Sequence, residues 1–158
     1  MNGWKWFKEK ALRPILLVFL IAVLYAWGTQ ARSDDLTFEV GNQYLLGPAP
    51  AALVGIVYPG PGDAEIEVGA LLVGGSPDHR GVMGVQALLV DGFDRLDLGL
   101  GVAYMNREFE QLGTQMNFSL MLRWRFNRGW YAALRHWSNA STTDENTGLD
   151  LITIGRRF

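Results

Sequence analysis

There is no cysteine in the 158 residues, so neither a disulfide framework nor a thiolate metal site can be built from this chain. Lysine is confined to Lys5, Lys8 and Lys10, and every later basic residue is arginine or histidine. The net charge of −2 gives no sign of a nucleic-acid surface. Beyond residue 32 no stretch sustains a 3.6-residue apolar period, which removes packed helices as the frame of the fold. Long apolar runs are also missing, with one exception near the start. Pro14 to Trp27 is apolar for 14 residues, short for a spanning helix, which needs about 20.

That run follows the lysines and precedes Gly28-Thr-Gln-Ala31. A positive start, an apolar middle and a small-residue exit are the pattern of a secretory signal peptide, with Thr29 and Ala31 at the −3 and −1 positions. The competing reading is an uncleaved inner-membrane anchor. Cleavage after Ala31 divides the chain into a signal peptide, residues 1–31, and a mature domain, residues 32–158. The mature part carries ten basic and fifteen acidic groups, a net charge of −5.

What the mature part has in abundance is alternation. Eight segments place apolar residues at every second position, as strands with one apolar face do. They are Leu36–Leu46, Ala51–Tyr58, Ala64–Val73, Val82–Val90, Leu96–Tyr104, Phe118–Phe126, Trp130–Asn139 and Gly148–Phe158. In the clearest two, Leu96, Leu98, Leu100, Val102 and Tyr104 oppose Asp97, Gly99, Gly101 and Ala103, and Phe118, Leu120, Leu122, Trp124 and Phe126 oppose Ser119, Met121, Arg123 and Arg125. Alternation alone fits a soluble sandwich equally well. Export, the terminal aromatic Phe158 and the connections favour a membrane barrel. Tight turns are expected at Pro59–Asp63, Asp91–Phe93 and Asn127–Gly129. Longer loops are expected at Gly74–Gly81, Asn106–Gly113 and Ala140–Thr147, and only Gly47–Pro50 is shorter than this scheme wants. The predicted fold is all-β: an eight-stranded antiparallel transmembrane β-barrel preceded by a signal peptide. Closing the sheet removes its edges, and a barrel of eight strands is filled by side chains rather than water. The inward face would hold Arg123, Arg125 and Arg135 with Glu39, Glu65, Glu67 and Asp97 as ion pairs.

One segment breaks its own pattern. Trp130, Ala132 and Leu134 share a face that then ends in His136 and Ser138. A histidine two residues from a serine on a strand puts a general base beside a hydroxyl, and Asp150 on the next strand would complete a serine-hydrolase set. Opposed residues of an antiparallel pair have a constant sum. Pairing His136 with Asp150 gives 286, which also pairs Ser138 with Gly148. With a periplasmic start, this patch falls on the lipid-facing side near the outer rim. Ionisable groups facing lipid are costly and mark function. The plainer reading is that the strand leaves the membrane here and both residues are rim residues.

Arg135-His136-Trp137-Ser138-Asn139-Ala140-Ser141, followed by Asn146-x-Gly148-x-Asp150 and a short strand to Phe158, resembles the PagL family of outer-membrane lipid A 3-O-deacylases. The match is specific over the last thirty residues. The resemblance implies an enzyme in the outer membrane of a Gram-negative bacterium, acting on lipid A of lipopolysaccharide in the outer leaflet. It implies His136 as base, Ser138 as nucleophile and Asp150 as the acid, where the best-known form of the family has glutamate. Asn139, Ala140, Asn146 and Gly148 are then the candidates for oxyanion binding and support. Strict alternation turns the Asn139 side chain inward, leaving either a break in the strand or the backbone N–H groups of Asn139 and Ala140 as donors. No cofactor and no metal are implied. The mature chain is short for the family around the second strand. His79 reads as a solvated loop residue. Arg80 and Arg107 lie on predicted outer loops, where lipid A phosphates are conceivable contacts and a plain surface role is the simpler one. The alternative function is a non-catalytic small barrel with a structural or adhesive role.

Overall fold

A computed structural model describes residues 36–43, 49–75, 81–107, 112–139 and 148–158. The leader, Ala140, Asn146, His79 and Arg80 lie outside the described residues. Eight strands follow one another around a closed antiparallel barrel: β1 (Leu36–Gln43), β2 (Pro50–Pro59), β3 (Glu65–Val73), β4 (Val82–Phe93), β5 (Leu96–Met105), β6 (Met116–Asn127), β7 (Trp130–Ser138) and β8 (Leu149–Arg157). Each strand pairs with its neighbour in sequence, and β1 pairs with β8 to close the ring. The expected fold is the observed one in strand number, order and direction.

Two turns fall differently from expectation. Asp91, Gly92 and Phe93 continue β4, and the chain reverses at Asp94-Arg95, between the pair Phe93–Leu96. Asp94 sits at φ 52, a left-handed conformation that aspartate tolerates better than most residues. Asn127 likewise belongs to β6, and Arg128-Gly129 make the turn with φ of 39 and 83. Two consecutive positive values are what a tight hairpin needs to match the strand twist. The register shifts by one residue between Arg125 and Asn127, just before it.

The alternation has the polarity of a barrel turned inside out. Outward residues such as Phe38, Val54, Leu72, Leu89, Leu98, Leu122, Leu134 and Ile154 are exposed, while Thr37, Glu39, Glu67, Gln86, Asp97, Arg123 and Arg135 are buried in the bore. Inside, each charge finds a partner. Arg123 bonds Asp97 and Glu67 at 2.9 Å each, and Arg135 reaches Glu39 and Glu67 at 2.8 Å. Tyr131 and Thr153 donate to Glu39, and Arg123 lies over the Tyr131 ring. Near the turn end, Arg157 pairs with Glu65 and Arg125 with Asp97.

Above this network, at the end carrying the longer loops, the bore is closed by apolar residues that include Leu53, Leu71, Val73, Met105, Leu112, Trp137, Leu149 and Leu151. β2 is apolar on both faces because of that plug. Its inward residues Ala51 and Leu53 meet the plug, while Val54 and Ile56 point outward. At the opposite, turn-bearing end, Trp124, Phe126, Trp130 and Phe158 are exposed around the outer wall. Arg156 lies over both the Phe158 and the Trp130 rings there.

Candidate active site

β7 is clamped from within. Arg135 and Trp137, on either side of His136, are 1% and 0% exposed. The first is tied to Glu39 and Glu67, and the second is packed in the apolar plug. Because successive side chains of a strand point to opposite faces, fixing these two holds His136 and Ser138 on the outer wall. The imidazole therefore stands on a rigid support.

The ladder between β7 and β8 pairs His136 with Asp150, the register expected from a sum of 286. His136 Nδ1 lies 2.8 Å from Asp150 Oδ1, and both side chains are about one-third to two-fifths exposed. With Nδ1–H donating to the carboxylate, the lone pair of Nε2 is left to accept a proton. Aspartate is long enough to reach the ring. Ser138, two residues further on, pairs across β6 with Phe118.

The expected pairing of Ser138 with Gly148 is not the observed one. The β7–β8 ladder ends at Trp137–Leu149, and Gly148 leaves the strand with φ +75. It lies against the His136 ring. A Cβ at this position would stand 2.6 Å from Cε1 and 3.3–3.4 Å from both ring nitrogens. Only glycine offers both the conformation and the space. Gly148→Ala should therefore push the imidazole off Asp150. Histidine NMR on the folded variant checks this, and an unchanged His136 resonance would show that the ring has room to yield.

Asn139 is 1% exposed, so its side chain does turn inward, as alternation requires. Its Nδ2 donates to the Leu112 carbonyl at 2.6 Å. The amide pins the connection between β5 and β6 under the corner where β7 ends. An oxyanion role for the Asn139 side chain is thereby displaced. The strand stops at Ser138. The partnership with Leu112 had no signal in the sequence, because nothing local couples positions 27 apart.

Below the pair, a groove of about 390 Å³ opens on the outer wall, lined by Leu120, Leu122, Leu134 and Ile152 together with His136 and Asp150. Among the described residues no cluster of three or more His, Cys, Asp or Glu side chains is placed to hold a metal. Arg107 is exposed, at the loop-bearing end.

The model of the family described as Lipid A 3-O-deacylase (PagL) matches residues 89–157. This span runs from within β4 through β8 and contains His136, Ser138 and Asp150. Among solved structures the chain is similar to one described as the crystal structure of the outer membrane enzyme PagL. The identity is 18% and the TM-score 0.56, over 76% of this chain and 95% of that chain; at that identity the likeness speaks for the fold. No curated protein matches the chain. The chain is thus similar to the PagL-type lipid A 3-O-deacylase family over residues 89–157, and it shares the barrel of the solved structure.

Proposed function

We propose that this protein is a serine esterase of the outer membrane that removes the ester-linked 3-O-acyl chain of lipid A. The observation that carries the reading is the His136–Asp150 pair on the outer wall, 2.8 Å apart, within the segment that matches the family. An enzyme attacking acyl esters of a lipid needs its site on the outside of the barrel, and this pair faces outward beside an apolar groove.

The exposed apolar side chains supply the surface that would contact the hydrocarbon layer. Strands of 8–12 residues suit the roughly 9–11 residues a tilted spanning strand needs. The aromatic rim of Trp124, Phe126, Trp130 and Phe158 would sit at one interface, as aromatic girdles do. The long-loop end with His136 and Asp150 would then lie in the leaflet that holds lipid A. The similar solved structure is that of an outer membrane enzyme, and the proposed location follows it.

In the proposed mechanism, Ser138 Oγ attacks the ester carbonyl while His136 Nε2 takes the hydroxyl proton. Asp150 holds the tautomer and stabilises the imidazolium that forms. The tetrahedral oxyanion is met by the backbone N–H of Asn139 and, one residue on, of Ala140. Collapse breaks the ester C–O bond: the departing sugar oxygen takes the proton from His136 to become a hydroxyl, and the acyl chain stays on Ser138. Water, deprotonated by His136, then attacks the acyl-enzyme. It releases the fatty acid and restores the serine. Gly148 keeps the imidazole seated throughout.

Mass spectrometry of lipid A from cells expressing the protein tests the reading. One ester-linked acyl chain should disappear from the 3 position, and it should remain in cells expressing Ser138→Ala. An unchanged acyl pattern, with the protein folded and inserted, would favour a non-catalytic barrel.

A further inference from the structure

At the turn-bearing end of the outer wall a cation stands among aromatic rings. Strand pairing sets Phe38, Arg156 and Trp130 side by side in one outward row, on β1, β8 and β7. The Arg156 guanidinium lies 5.7 Å from the centre of the Trp130 ring and 4.8 Å from that of Phe158. Phe158 is tied to β1, because its backbone N–H donates to the Leu36 carbonyl. Rings take a guanidinium by its flat face and leave the in-plane N–H donors for other partners. Among the described residues no carboxylate pairs with Arg156, and the Glu65 carboxylate at this end is taken by Arg157. Arg128, exposed in the adjoining β6–β7 hairpin, adds a second cation. The Arg157 N–H donates to the Gly129 carbonyl and holds that hairpin against β8. One row further along the wall, Val40 and Ile154 are exposed and apolar. Arg156 therefore stands where the apolar wall ends.

We propose that Arg156, seated against Trp130 and Phe158, binds the phosphate of an anionic glycerophospholipid in the leaflet opposite His136 and Asp150. The inference rests on the reading of the outer wall as the lipid-facing surface, and not on the esterase. A guanidinium facing lipid is costly unless an acceptor meets it. The described protein offers none, whereas the headgroup layer offers phosphodiesters. The two unesterified oxygens of a phosphodiester match the guanidinium fork. Arg128 favours a headgroup with net negative charge over one whose amine cancels the phosphate.

The test uses the full chain folded in a non-ionic detergent. Native mass spectrometry reads the lipid retained after adding phosphatidylglycerol, phosphatidylethanolamine or inorganic phosphate. Wild type should hold phosphatidylglycerol in preference to phosphatidylethanolamine, and excess inorganic phosphate should not displace it. Arg156→Gln should weaken retention about tenfold. Arg156→Lys keeps the charge but not the fork, and should fall between the two. Arg95→Gln removes another exposed arginine, in the β4–β5 turn at the same end, and should leave retention unchanged. Circular dichroism checks that each variant is folded, and Arg156 faces outward, so its loss takes nothing from the bore. Equal losses in Arg95→Gln and Arg156→Gln would overturn the site in favour of a generally basic rim. Displacement by inorganic phosphate would overturn it in favour of a site for free anions. Insertion into phospholipid vesicles with retention unchanged in Arg156→Gln would overturn the site alone. A folded wild type that does not insert would overturn the membrane reading with it.

Discussion

Ser138→Ala should abolish lipid A deacylation, with kcat/KM falling about 10³-fold or more. His136→Ala should fall nearly as far, since an unassisted hydroxyl is a poor nucleophile at neutral pH. The double variant should be no worse than either single one, because the residues act as a unit. Asp150→Asn keeps the shape of its side chain but stops accepting the Nδ1 proton in the right sense. It should cost about 10²- to 10⁴-fold through the wrong tautomer. Thermal unfolding should barely move in any of them. These side chains stand on the outer wall, partly exposed, and remove nothing from the packed bore. A variant set in which activity falls only in step with lost folding would contradict the assignment. Additive losses would argue against a unit.

The second large effect is on stability and arises inside. Glu67 is 2% exposed and bonds Arg123 and Arg135 at once. Three carboxylates, Glu39, Glu67 and Asp97, face Arg123, Arg135 and the half-exposed Arg125, so the network is balanced. Glu67→Ala leaves two buried guanidinium groups short of an acceptor, and breaking a buried pair by removing one partner costs about 3–5 kcal/mol. Glu67→Gln keeps acceptor capacity through its carbonyl and should cost less. Denaturant unfolding from micelles or vesicles measures both. Equal, small losses would mean that water reaches the bore and compensates. Because Arg135 also steadies the strand that carries His136, Glu67→Ala should lower kcat as well, at temperatures where the barrel is still folded.

The two proposals lie on different links of the chain from sequence to function. Loss of the nucleophile is chemical and leaves the fold alone. Loss of Glu67 is structural and reaches the site through β7. Measuring activity and unfolding on the same variants separates them.

The strands, and the face that His136 shares with Leu134, were legible in the sequence because they follow from a period of two, a local property written in residues i and i+2. Closure of the sheet did not follow from that period; it was expected from the connections and from the cost of exposed edges. Phe38 and Val40 against Thr37 and Glu39 is enough to sort outside from inside in β1, and the exposures agree. Pairing of His136 with Asp150 was legible too, since adjacent antiparallel strands keep a constant sum and one opposed pair fixes the rest. Turn positions were less legible. Asp91–Phe93 looks like a turn by composition, but strand pairing carries β4 through it to Asp94, because a ladder gains hydrogen bonds that a composition rule does not count. Tertiary structure alone decided the rest: which carboxylates meet which arginines, that Asn139 holds Leu112, and that Gly148 rests on the imidazole. Glu39 meets Arg135 from 96 positions away. Contacts of that kind depend on how the closed barrel brings non-neighbouring strands across its bore, and no local pattern encodes that distance.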